Sequence, residues 1–216
     1  MNNLFLAFLL SIIGPVHPQV LSVDQIQTVM NSSVLIRIKF IAPNEDGIVK
    51  SHMGGCSGTF VEDNIVLTAA HCVDMERITD IWIRSYDGQS HKAFIVKKDK
   101  GHDLALLGIL GIQHKPIKLA RTVVLGEQVI NVGSPYTLQF LLSEGIVSAL
   151  NVYIGKEFKS HYLVTTAMIN PGSSGGGAFN KEGELIGVNT MTMGGFMGWA
   201  GISLAVSLED IKEFLQ

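Results

Sequence analysis

Residues 33–40, SVLIRIKF, alternate apolar and polar side chains, the two-residue period of a strand with one buried face. The pattern returns at Ile81 to Tyr86, Ala93 to Lys97 and Leu185 to Met191. Between these stretches lie Asn44-Glu-Asp-Gly47, Asp87-Gly88, Lys181-Glu-Gly183 and Met193-Gly-Gly195. Glycine beside Asn or Asp supplies the backbone conformations that tight turns require. Short strands at this spacing predict an antiparallel all-β sandwich or barrel, not βαβ units. Composition agrees: 23 glycines among 216 residues serve many turns, and 47% hydrophobic against 16% charged residues supports a sizeable core.

Two helices frame the strands. Ser22-Val-Asp-Gln25 reads as a capping box opening a short helix to about Met30. Ser207 caps a last helix over 207–216, with Glu209 and Asp210 in the first turn, where the helix dipole favours acids.

Leu4 to Ile13 is almost wholly apolar and ends at Gly14-Pro15. It is too short for a bilayer, which needs about 20 residues, and its length suits the apolar region of a signal peptide. Residues 1–18 therefore read as an export signal, and the mature chain, 19–216, as secreted or periplasmic. No other stretch is long and apolar enough to form a stable membrane span. Net charge is −3, and the densest basic run, Lys97-Lys98-Asp99-Lys100, is interrupted by an acid. It reads as a solvated loop or strand end, so no nucleic-acid partner is expected. Cys56 and Cys72 are idle thiols in a reducing compartment and can pair in an oxidising one.

Three motifs carry chemistry. In Leu67-Thr-Ala-Ala-His71-Cys72 an apolar strand leads directly to an imidazole, placing a candidate general base on a rigid support. In Gly101-His-Asp103-Leu-Ala-Leu-Leu107 an acid fronts an apolar strand, and a buried carboxylate needs a partner. In Asn170-Pro-Gly-Ser-Ser174-Gly-Gly-Gly177 glycines allow the tight turn that exposes a serine and gathers backbone N–H groups. No His, Cys, Asp and Glu cluster has metal-ligand spacing, so neither metal nor cofactor is expected.

Taken together, in the order His, Asp, Ser, these motifs resemble the trypsin-like serine proteases. The closer likeness is to the HtrA/Deg branch. Leu125 to Pro135, Ser143 to Ala149, Ala167 to Gly172, Gly183 to Thr190 and Gly201 to Val206 look like its strands and its nucleophile loop. The resemblance implies two antiparallel six-stranded β-barrels, the first over about 32–118 and the second over about 119–206. It implies a catalytic triad of His71, Asp103 and Ser174, and an oxyanion hole from the Gly172 and Ser174 N–H groups. It implies a Cys56–Cys72 disulfide beside the base. It implies a specificity pocket from Met168, Ile169, Asn189 and Thr190, none of them charged. The expected activity is cleavage of polypeptide substrates after small or medium apolar residues, through an acyl-enzyme.

Against that branch, no PDZ domain is expected here, and Gly177 stands where proline is frequent. That glycine is expected to loosen the site. Gly172-x-Ser174-x-Gly176 also fits the nucleophile elbow of α/β-hydrolases, but those place a histidine after the serine, and none follows Ser174. The remaining rival is a catalytically inactive protease-like binding or chaperone module.

Overall fold

The computed structural model describes residues 21–111, 113–156, 158–195 and 198–216; the export signal read at 1–18 lies outside them. Helix α1 (Val23–Ser32) starts on the expected capping box: Ser22 Oγ accepts the Gln25 N–H at 3.2 Å, and Gln25 Oε1 accepts the Ser22 N–H at 2.7 Å. The helix runs to Ser32, past Met30, and hands the chain directly to the first strand.

Strands β1 (Ser33–Pro43), β2 (Val49–Glu62), β3 (Ile65–Thr68), β4 (Ile78–Ser85), β5 (Ser90–Asp99) and β6 (Leu104–Ile109) close an antiparallel barrel in the order β1-β2-β3-β6-β5-β4. The alternation in β1 sets which face is inside: Val34, Ile36 and Ile38 fill the interior while Arg37 and Lys39 face water. Strands β7 (Gln128–Gly133), β8 (Leu141–Val152), β9 (Tyr162–Thr165), β10 (Gly177–Phe179), β11 (Leu185–Gly195) and β12 (Gly198–Ser207) close a second barrel in the order β10-β11-β12-β9-β8-β7. Helix α2 (Leu208–Phe214) follows, capped by Ser207 Oγ, which accepts the Asp210 N–H.

Each barrel has its own apolar interior, and a third cluster joins them. That cluster takes Leu67 and Leu104 from the first barrel and Val132, Tyr162, Phe179 and Val206 from the second, with Val29 and Phe214 from the helices. The barrels therefore meet along a packed seam that fixes loops from one against loops from the other. Of the two readings of the basic run, loop or strand end, the structure has the strand end. Lys97 Nζ donates to the Phe214 carbonyl at 2.5 Å, and Lys98 and Lys100 pair with Asp74.

Cys56, within β2, and Cys72, in a 3-10 turn over Ala70–Val73, form a disulfide across 16 residues of sequence. A loop of that size stabilises the fold by about 3 kcal/mol in the chain-entropy model. Alanine at both cysteines is expected to lower the unfolding free energy by about that amount, read as a fall in the urea midpoint. An unchanged midpoint would show that the bridge contributes nothing.

Candidate functional site

The site forms where the end of β3, the start of β6 and the loop before β10 converge. Strand β3 ends at Thr68, and the 3-10 turn carrying His71 follows at once. The Ala70 N–H donates to the Asp103 carbonyl at 3.1 Å and the His71 N–H to Asp103 Oδ1 at 2.9 Å. Two backbone donors therefore lock the turn to the residue that opens β6. Asp103 itself has φ +54°, a left-handed conformation that costs energy for most side chains but is tolerated by Asp.

His71 Nδ1 lies 2.9 Å from Asp103 Oδ2 and 3.1 Å from Oδ1. Because a carboxylate only accepts, the proton belongs on Nδ1, and Nε2 is left as the basic atom of the ring. Asp103 is 8% exposed, and burial pushes its carboxyl up. Hydrogen bonds from His71 and Thr190, with the nearby imidazole, outweigh burial and hold it below its usual range. Burial also pushes the Tyr162 phenol up to about 12, and the charges of Asp103 and Asp210 add to the shift.

Thr190 links two of the three candidate residues, Asp103 and Ser174. Its hydroxyl donates a short hydrogen bond to Asp103 Oδ2, and its carbonyl accepts the Ser174 hydroxyl at 3.3 Å. The sequence places Thr190 on the specificity pocket. The structure turns its hydroxyl onto Asp103, and Thr190 borders a cavity of about 370 Å³ on the His71 side, with Phe158 and Met191.

The serine loop is built by Ser57, a residue the sequence reading passes over. Ser57 is 1% exposed and uses every polar atom it has. Its N–H donates to the Ser174 carbonyl and its hydroxyl to the Gly172 carbonyl, both at 2.8 Å. The hydroxyl also accepts the Ser134 N–H at 2.8 Å, and the Ser57 carbonyl accepts the Thr68 hydroxyl at 2.7 Å. The Ser173 N–H is taken by the Asn170 carbonyl. Pro171 gives its carbonyl to the Tyr136 N–H at 3.1 Å, and in a trans peptide this aims the Gly172 N–H the opposite way. Among the described residues, the Gly172 and Ser174 N–H groups have no acceptor, so both are free to receive one.

The loop demands its glycines. Gly172 has φ +101° and Gly175 φ +83°, and a Cβ on Gly175 would collide with the Thr68 hydroxyl and the Ser57 carbonyl. Gly177 does not leave a gap: the Phe179 ring and Leu185 occupy the space a side chain there would need.

Met168 and Asn189 line a small cavity of about 30 Å³ beside Ser173, together with Asn131, Ser143 and Asn170. Ile169 is buried and is not part of that wall. An open cavity of about 360 Å³ is bordered by Gly172 together with Leu35, Met53, Ser134 and Tyr136. Cys72 Sγ touches the Ser174 carbonyl at 3.6 Å, and the only described grouping of His, Cys, Asp and Glu with ligand spacing is Cys56, His71 and Cys72. Its sulfurs are already joined to each other, so it is not a set of thiolate ligands.

Comparison with known proteins gives three kinds of match. The trypsin-like peptidase domain family matches residues 56–188. "Probable periplasmic serine endoprotease DegP-like" of Halomonas elongata is 32% identical over 150 residues, 68% of this chain and 31% of that protein. "Serine protease HTRA1" of Xenopus tropicalis is 35% identical over 162 residues, 71% of this chain and 34% of that one. "Serine protease HTRA2, mitochondrial" of Drosophila pseudoobscura pseudoobscura is 36% identical over 167 residues, 74% and 38% respectively. The chain thus spans about a third of the length of these relatives. A solved HtrA-type protease, AlgW with a decapeptide, shares the fold with TM-score 0.79 and 22% identity, covering 89% of this chain and 67% of that one.

Proposed function

Because this chain belongs to the trypsin-like peptidase domain family, we propose that it is a serine endopeptidase in which His71, Asp103 and Ser174 cleave peptide bonds. The observation that carries this is the His71 Nδ1–Asp103 bond, which leaves Nε2 basic in the same site as a serine whose loop holds two unpaired N–H groups. In the reaction the Ser174 hydroxyl leaves the Thr190 carbonyl and gives its proton to His71 Nε2 as its oxygen attacks the substrate carbonyl. The oxyanion takes the Gly172 and Ser174 N–H groups. Each such donor contributes about 3 kcal/mol to transition-state stabilisation. Imidazolium then protonates the leaving amine, Asp103 stabilises the charge, and water releases the acyl group by the reverse sequence.

The two open cavities flanking Gly172 and His71 suit an extended polypeptide on either side of the scissile bond. The small cavity beside Ser173 has no charged side chain in its wall, so small uncharged residues are its natural occupants. A disulfide in the first barrel, the apolar leader and the periplasmic naming of the Halomonas relative support an exported protein.

The inactive binding module retains one argument, since the Ser174 hydroxyl is engaged with a carbonyl in this structure. A fluorophosphonate probe separates the two readings. Covalent labelling of purified protein, lost in Ser174→Ala, is expected for the peptidase. No labelling at any pH between 5 and 9 would leave the binding module.

A further inference from the structure

Asn131, at the centre of β7, lines the small cavity beside Ser173 and is 2% exposed. Strand alternation turns it toward the interior of the second barrel: Ile130 and Val132 pack in the seam between barrels, while Val129, on the same face as Asn131, packs inside the second. An amide in that interior is costly unless both its ends are paired. Only one is. Asn131 Nδ2 donates to the Ala167 carbonyl at 3.1 Å, which also fixes the orientation of the group, since the flipped amide would set oxygen against oxygen. Oδ1 is buried and has no hydrogen-bond partner among the described residues.

None of the neighbouring polar groups among the described residues reaches Asn131 Oδ1. Ser143 donates its hydroxyl to the Met168 carbonyl at 2.5 Å, Ser173 Oγ accepts the Asn170 N–H at 3.3 Å, and Asn189 Nδ2 donates to the Gly177 carbonyl at 3.4 Å. Of the buried side-chain polar atoms without partners, Asn131 Oδ1 is the one whose residue lines this cavity. An unpaired buried acceptor on a residue that lines a cavity discriminates strongly: a donor that reaches it recovers a hydrogen bond, and an apolar group of the same shape leaves it bare.

We propose, resting on the peptidase reading above, that Asn131 determines specificity, and that the residue preceding the scissile bond is a small hydroxyl-bearing one, serine or threonine, whose O–H donates to Asn131 Oδ1. This replaces the sequence expectation of a small or medium apolar residue at that place. A cavity of about 30 Å³ selects for smallness. The acceptor then separates threonine from valine and serine from 2-aminobutyrate, pairs matched in shape.

The test compares kcat/KM for peptides that differ only within these two pairs. In the wild type the hydroxyl member of each pair is expected to be cleaved about ten-fold better. In Asn131→Leu and Asn131→Ala the ratio is expected to fall to one or to invert, with folding followed by circular dichroism. If neither variant folds, the wild-type ratios decide the matter by themselves. Wild-type ratios of one or below overturn the proposal, and so does an unchanged preference in a folded variant. If the fluorophosphonate labels Ser174 and the ratios are flat, this inference alone fails. If nothing labels Ser174 and no peptide is cut, the peptidase reading fails and takes this one with it.

Discussion

Asparagine in place of Asp103 is expected to lower kcat by about 10⁴-fold with little change in the fold. Three donors converge on this carboxylate: the His71 N–H, His71 Nδ1 and the Thr190 hydroxyl. A carboxylate accepts all three, whereas an amide has one accepting oxygen and one donating nitrogen. Whichever way the amide turns, a donor meets a donor. The least costly escape is for His71 to move its proton to Nε2, which removes the base proposed for Ser174. Kinetics on a peptide substrate, with the tautomer followed by nitrogen NMR of the ring, would read this directly. A variant that keeps more than about a tenth of wild-type kcat would show that Asp103 does not orient the base.

The same replacement should change the acid limb of stability. The Asp103 carboxyl is held below its usual value of 3.8, so its ionised form favours the folded state. That contribution is complete above the unfolded value. It disappears as pH falls below 3.8 and through the lower folded value. The wild type should therefore lose melting temperature more steeply than Asp103→Asn between pH 4 and pH 2.

Ser57→Ala is expected to lower kcat by about 10²-fold with KM nearly unchanged, and to cost about 1–3 kcal/mol of stability. Alanine strands two buried groups at once, the Ser134 N–H and the Gly172 carbonyl. The catalytic effect is the more informative one. The Gly172 carbonyl is what holds the peptide planes of a glycine already at φ +101°, a residue with little resistance to rotation. Once released, the Gly172 and Ser174 N–H groups lose their common aim. Affinity for a peptide boronate, which mimics the tetrahedral adduct, should fall in step with kcat. The pH profile should not move, because neither His71 nor Asp103 loses a partner. Loss of stability with kcat and boronate affinity intact would reduce Ser57 to a packing role.

Much of the architecture was legible because it rests on local pattern. The alternation of Val34, Ile36 and Ile38 defines a strand with an interior face whatever the barrel it joins. Ser22 and Ser207 announce helix starts because capping is a contact over three residues. His71, Asp103 and the glycine-flanked Ser174 stand out because their immediate neighbours are unusual: an apolar strand before the histidine, another after the acid, glycines around the serine. Closure into two six-stranded barrels came from the family likeness, since a period of two does not distinguish a barrel from a sandwich.

Thr190, Ser57 and Asn131 have no such neighbourhood. Thr190 finds Asp103 87 residues away, Ser57 finds Gly172 115 residues away, and Asn131 finds the Ala167 carbonyl 36 residues away. Each looks like an ordinary polar residue in or near a strand, and the sequence reading accordingly sets Thr190 on a pocket wall and overlooks the other two.

By itself, the order of residues determined where strands, helices and the three candidate side chains lie, because those depend on periodicity and nearest neighbours. Packing of one barrel against the other decided which hydroxyl supports the acid, which serine holds the loop, and which amide oxygen is left bare. Those are hydrogen bonds between distant segments, and a buried polar group takes whatever partner the seam brings to it.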